Sequence, residues 1–368
     1  LPLHPPLTPR GTTTIPREDM SRRTAVKVVA AIAVAGYIKK QLDQYANENH
    51  TLPSQAHAQS EVKEAQEAGL TAHWALKEQK CFKNAEGLLI HTDKHTPPDV
   101  KGTVFLLHGF GEHSGRYKHV IKALNEMGME VYTLDHQGHG RSQGDRAYVR
   151  DFECFVDDVM QYINAVDAVR PDAKDSGKKL KRFLIGHSMG GLIATGVASR
   201  APHLFDGVIL SSAWLRLDNK TEGDRPIIEP LIRLVNYFFP KMVITKGLPS
   251  EYVSSDPAIV SHYMNDPLNC ASTGLRARLF TTVLNAQDSF RKNEYKSMAM
   301  PLLVYHGTAD KLTNPLGSQQ IYDLCPSKDK TLKFLDGGSH ELFNEPNKDN
   351  KGRNPAIGLV CEWIAERL

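Results

Sequence analysis

Residues 183–194 read FLIGHSMGGLIA, an apolar run, a cluster of small residues around Ser188, and a second apolar run. The pattern predicts a buried strand passing into a helix with almost no loop between them. Gly186 and Gly190 stand two residues to either side of Ser188. In so sharp a strand-to-helix turn the serine backbone is strained and its hydroxyl is lifted above the end of the sheet. Side chains two before and two after would collide, so both positions must be glycine or similarly small. Gly191 leaves further room for the helix to pack. Ser188 is the expected nucleophile.

A serine hydroxyl is a weak nucleophile near neutral pH and needs a base, which needs an orienting acid. For this turn the chain order is serine, then acid, then histidine. Downstream, MPLLVYHGTADKLTNP reads as a strand and a loop carrying Asp310, and LKFLDGGSHELFNE as a strand and a loop carrying His340. Catalytic groups of open parallel sheets gather past the C-terminal strand ends. Asp336 and Glu341 are nearer to His340 in sequence, but neither follows the earlier strand. An oxyanion site needs two inward N–H groups. VFLLHGFGEHSGRY supplies a glycine-rich loop, so the expected donors are the N–H groups of Phe110 and Met189. The run DHQGHGRSQG, residues 135–144, reads as a tight structural loop beside the nucleophile turn.

Working outward, strands are predicted at 103–107, 130–134, 182–185, 207–211, 302–305 and 331–335, with helices at 117–127, 152–169, 190–199, 315–324 and 356–367. Short apolar strands alternating with helices define an α/β chain, a mostly parallel central sheet covered by helices on both faces. Residues 79–93 read as a hairpin turning at Asn84–Gly87. The alternation breaks after Trp214. The expected division is a core over 78–212 and 287–368 with an inserted helical cap at 213–286. Within it, PIIEPLIRLVNYFFPKMVI is apolar on more than one face, which suits either a buried cap helix or one facing an acyl channel or a membrane.

Residues 1–60 are set apart. The first 19 are rich in Pro and Thr without periodicity, and Met20 is a candidate start. Arg22, Arg23 and Lys27 precede an eleven-residue apolar run, Val28 to Ile38. That is short of the ~20 residues that span a bilayer and resembles a targeting segment; the alternative is a short buried helix. The expectation is membrane association or organelle or secretory targeting through this segment, against a cytoplasmic location. Residues 61–77 have the composition of a linker helix. The net charge of +3 gives no nucleic-acid footprint. Five scattered cysteines lack metal-ligand spacing and read as reduced, mostly core thiols. The pairs His91/His95 and His136/His139 lack a third ligand nearby, so no metal and no organic cofactor is expected.

The motifs HGFGEHSGRY, DHQGHGRSQG, GHSMGGLIA, SSDPAIVSHYMNDPL, HGTADKLTNP and GGSHELFNE, in that order, make residues 78–368 resemble the α/β-hydrolases of the monoacylglycerol lipase, lysophospholipase and caffeoylshikimate esterase group. The resemblance implies an α/β-hydrolase fold, a Ser188–Asp310–His340 triad, and hydrolysis of a lipid or other small ester without a cofactor. It also implies Glu112 and Arg116 as contacts for a glycerol head group; on the residues alone they serve as well as a salt-bridged helix start. Phe343 stands where animal monoacylglycerol lipases carry a second histidine, a substrate-side departure that leaves hydroxycinnamoyl or other small esters open. Asp-nucleophile hydrolases of the same fold do not fit Ser188; a peptidase stays open, and so does a non-catalytic binding protein on the same fold, against which the intact triad speaks.

Overall fold

Phe105 and Leu107 side with one apolar cluster while Val104 and Leu106, their neighbours along the strand, side with another. That alternation is the signature of a sheet buried on both faces. The computed structural model describes residues 81–169, 180–217, 219–245, 248–346 and 354–368. All lie in one of the two units into which the chain divides, Leu52–Leu368. The leader, the targeting-like segment and the 61–77 helix lie outside the described residues.

The strands are β1 (Cys81–Lys83), β2 (Leu89–His95), β3 (Gly102–Leu107), β4 (Met129–Leu134), β5 (Lys181–His187), β6 (Gly207–Ser211), β7 (Leu302–Gly307) and β8 (Lys330–Leu335). They form one sheet in the order β1-β2-β4-β3-β5-β6-β7-β8. β1, β2 and β4 pair antiparallel, and every later pairing is parallel. The helices are α1 (Lys118–Glu126), α2 (Phe152–Val169), α3 (Met189–Arg200), α4 (Asn219–Phe238), α5 (Pro257–Asn265), α6 (Ala277–Lys292), α7 (Pro315–Leu324) and α8 (Pro355–Ala365). α2, α3 and α6 bury their apolar sides in the first cluster, α1 and α8 theirs in the second. Cys154, Cys270, Cys325 and Cys361 are buried. Among the described residues no helix is long and apolar enough to cross a membrane.

Register places the functional loops. Leu107 pairs with Gly186 and His187 with Ser211, so the loop after β3 and the turn after β5 leave the sheet side by side. Gly307 pairs with Leu335, which sets the loops after β7 and β8 against each other.

The expected end of the cap, at residue 286, falls inside α6. Phe290 meets Phe152 edge-on at 5.9 Å, and the Thr282 hydroxyl accepts the Phe152 N–H at 2.7 Å. This helix therefore packs with the core, as do Ala213, Trp214, Leu215, Leu217, Cys270 and Leu275 of the expected cap. Thr281, Thr282 and Gln287 are buried within its apolar stripe, which is why periodicity alone did not separate it from the insertion.

One buried carboxyl is conspicuous in this scaffold. Asp158 on α2 accepts from the Asn84 side chain at 2.9 Å, while its other oxygen has no partner. Burial pushes its pKa up to about 7 against the opposing hydrogen bond from Asn84. A carboxyl raised by folding costs nothing below its unfolded value and destabilises increasingly as pH climbs through the folded one. Asp158→Asn is expected to stabilise by about 1–3 kcal/mol at pH 8 and to change nothing at pH 4. Scanning calorimetry at the two pH values checks this; an unchanged Tm at pH 8 contradicts it.

Candidate active site

Ser188 adopts φ 52° and ψ −118°, a conformation L-residues avoid. Strain of this kind costs on the order of 1–3 kcal/mol and persists only where the surroundings over-determine it. Here the Ser188 N–H donates to Ser211 at 3.0 Å, while its carbonyl accepts from Gly191 and Trp214, each at 2.9 Å. A Cβ on Gly186 would lie 2.3 Å from the Gly190 carbonyl oxygen, and one on Gly190 2.4 Å from those of Leu107 and His108. The two glycines are thus required by backbone packed against backbone.

Asp310 follows β7 and His340 follows β8. The His340 Nδ1–H donates to Asp310 Oδ2 at 2.8 Å, which leaves Nε2 for another partner. Asp310 Oδ1 accepts the N–H groups of Leu312 and Thr313 at 2.8 and 2.9 Å. Oδ2 also accepts the Thr313 hydroxyl at 2.8 Å, and His306 Nε2 lies 3.0 Å from it as an ion-pair contact. Burial would raise the Asp310 carboxyl, but His340 and His306 hold it well below its ordinary value. Burial would likewise lower the His340 imidazole, yet the charge and hydrogen bond of Asp310 raise it. Against His340, at 4.8 Å between rings, lies His187, the residue before Ser188. Burial first, and His340 second, hold the His187 pKa down to about 3, so it stays neutral. The rival carboxylates are turned elsewhere: Asp336 accepts from Thr308, and Glu341 is paired with Arg116.

The loop after β3 is held peptide by peptide. His108 Nε2 accepts the His136 N–H at 2.9 Å, so its Nδ1 carries the proton and donates to the Gly109 carbonyl at 2.8 Å. With that carbonyl engaged, the trans peptide turns the Phe110 N–H the opposite way. The Gly109 N–H is taken by Glu112 Oε1 at 2.6 Å. Among the described residues, neither the Phe110 nor the Met189 N–H is spent on another acceptor. The 135–144 loop is structural, as expected. Asp135 Oδ1 accepts from the Ser114 N–H and hydroxyl at 2.8 and 2.6 Å, and Oδ2 from the Arg141 N–H at 2.9 Å. Residues of the expected cap bond the loops after β3 and β8: the Cys270 N–H donates to the Gly111 carbonyl at 2.7 Å, and the Val253 carbonyl accepts the Glu341 N–H at 2.8 Å.

The three expected substrate contacts have partners within the protein. Glu112 is buried, Arg116 is half-buried, and the two pair at 2.7 Å. Arg116 also forks onto Glu341 at 2.5 and 2.7 Å, and its guanidinium stacks 4.7 Å over Tyr263. Burial would raise the Glu112 carboxyl, but Arg116 holds it below the usual range. Phe343 is in the core, edge-on to Tyr117 at 6.2 Å and to Tyr305 at 5.9 Å. A buried aromatic between two tyrosines packs the scaffold. Sequence reasoning missed His306 and Thr313; the only signal was their place within HGTADKLTNP, around the aspartate.

Residues 98–347 match the family described as serine aminopeptidase, S33 (Hydrolase_4). The chain is 33% identical over 293 residues to a monoacylglycerol lipase of Mycolicibacterium smegmatis, covering 79% of this chain and 98% of that protein. It is 31% identical over 286 residues to a monoglyceride lipase of Mus musculus, covering 77% and 89%. The crystal structure of Paleococcus ferrophilus monoacylglycerol lipase superposes with a TM-score of 0.63 at 30% identity, covering 76% of this chain and 99% of that one. With the nucleophile turn, the sheet order and the family match in agreement, this chain belongs to the serine aminopeptidase S33 family and has the α/β-hydrolase fold.

Proposed function

We propose that the protein is a serine carboxylic ester hydrolase that cleaves single-chain lipid esters, monoacylglycerols first, through an acyl-enzyme on Ser188. The observation that carries this reading is the Asp310–His340 hydrogen bond of 2.8 Å set beside a strained serine and two unspent N–H groups. His340 Nε2 takes the Ser188 proton as Oγ attacks the ester carbonyl. The N–H groups of Phe110 and Met189 receive the oxyanion, and Asp310 stabilises the imidazolium. His340 then protonates the departing alkoxide, which leaves as the alcohol. Next it draws a proton from water, whose oxygen attacks the acyl carbon, and the carboxylic acid leaves as Ser188 regains its hydrogen. No step calls for a cofactor.

The monoacylglycerol lipase relatives favour the substrate class.

We further propose that α4 rests on a lipid surface. Its Ile227, Leu234, Tyr237 and Phe238 are 57, 58, 79 and 62% exposed. Its Arg225 and Arg233 turn instead to Asp288 and Asn285 on α6. A contiguous exposed apolar row backed by satisfied charges fits an interfacial helix.

One assay series tests both readings, comparing vesicle-borne monoacylglycerol, lysophospholipid, a hydroxycinnamoyl ester and a soluble short-chain ester. Monoacylglycerol is expected to lead in kcat/KM; a wide lead for the hydroxycinnamoyl ester overturns the lipid assignment. Leu234→Ser with Phe238→Ser is expected to slow vesicle-borne hydrolysis about tenfold and to spare the soluble ester. Equal rates on vesicles refute the surface contact.

A further inference from the structure

Asp310 holds more partners than a catalytic acid requires. Three groups meet Oδ2: His340 Nδ1 and the Thr313 hydroxyl donate to it, each at 2.8 Å, and His306 Nε2 lies 3.0 Å away as an ion-pair contact while also meeting the Thr313 hydroxyl at 3.2 Å. A carboxylate oxygen offers about two lone-pair directions, so the three share one acceptor and together set its orientation. His306 is the penultimate residue of β7 and is fully buried. Its proton position follows from its neighbours. Asp310 only accepts, so Nε2 carries the hydrogen, and Nδ1 takes the Ser318 hydroxyl at 2.7 Å. Ser318 lies on α7, whose N-terminus begins five residues after Asp310, and it too is fully buried. The carboxylate is thus tied through one imidazole to the sheet and to a helix, and through the other to the reacting serine's side.

We propose that His306 is a positioning residue for the ester hydrolysis assigned above: anchored by Ser318, it holds the Asp310 carboxylate in the orientation that meets His340. This rests on the triad reading. His306 reaches neither the substrate nor Ser188 chemistry directly; it acts through Asp310. A carboxylate that turns away from His340 leaves the imidazole free to rotate and weakens the imidazolium formed on proton transfer. The cost falls on the chemical step and not on ester binding. The other charged and titratable groups around His340 are His187, Glu341 and Glu112, none of which touches Asp310 in place of His306.

The test compares His306→Leu, His306→Gln and Ser318→Ala on a soluble short-chain ester, together with the rate of labelling by a fluorophosphonate. His306→Leu is expected to lower kcat about tenfold or more with KM within about twofold, and to move the acid limb of kcat/KM to lower pH. His306→Gln, whose amide N–H reaches as far as Nε2, is expected to restore most of the rate and the limb. Folded His306→Leu with wild-type kcat and acid limb overturns the proposal. So does His306→Gln losing as much as the leucine variant, because volume alone then explains the site. An acid limb displaced upward also overturns it, because His306 would then compete with His340 for the carboxylate. Where the leucine variant does not fold, Ser318→Ala decides: a severalfold loss of kcat supports the proposal and an unchanged kcat refutes it. A wild-type chain that neither hydrolyses the ester nor takes the label refutes the triad reading itself, a result distinct from all of these.

Discussion

Ser188→Ala is expected to abolish ester hydrolysis, with kcat reduced about 10⁶-fold, and to eliminate fluorophosphonate labelling while the fold persists. The physical reason lies in the turn. Ser188 is 7% exposed, and its backbone is locked at positive φ by hydrogen bonds from its own N–H and to its carbonyl, none involving the hydroxyl. Alanine removes Oγ and keeps every backbone contact, so Tm is expected to move by no more than a few degrees. The oxyanion donors survive, which leaves a residual rate about 10³–10⁴ above water. Undiminished labelling of the alanine variant would place the nucleophile elsewhere and undo the assignment.

Asp310→Asn is expected to lower kcat about 10⁴-fold, because an amide offers His340 Nδ1 the wrong partner and favours the wrong tautomer. Its pH signature is separate. His340 must be neutral to accept the serine proton, and Asp310 raises its pKa above the ordinary value. Wild-type kcat/KM is therefore expected to fall as pH drops through a point above about 6.5. Without the aspartate charge, burial dominates and the acid limb moves below that point. A limb that stays in place would show that Asp310 is not the partner of His340 in turnover.

These two residues were legible in the amino-acid order for a reason the distances now make concrete. The clash of 2.3 to 2.4 Å that a Cβ would create at Gly186 or Gly190 is a constraint of covalent neighbours and adjacent strands, so it leaves a local pattern. Asp310 and His340 each follow a short apolar strand, and parallel strands deliver their C-terminal loops to one rim. The Glu112–Arg116 pair left both readings open because an i,i+4 pair looks the same whether it meets ligand or protein. Glu341, 225 positions away, occupies the guanidinium fork, a contact the local pattern does not show. Phe343 is a similar case. Its place three residues after the histidine suggested the cleft, whereas Tyr117 and Tyr305 receive it in the core.

From sequence alone come the nucleophile turn, the order of serine, acid and base, the parallel sheet and the glycine-rich donor loop, because each is enforced by sterics or periodicity within a few residues. Tertiary structure alone decided which carboxylates pair with Arg116, that α6 packs in the main apolar cluster, that His306 lies beside Asp310, and that α4 exposes an apolar row. Those outcomes depend on which surfaces meet after the strands are in register, and contacts between residues far apart in the chain leave no periodic trace in it.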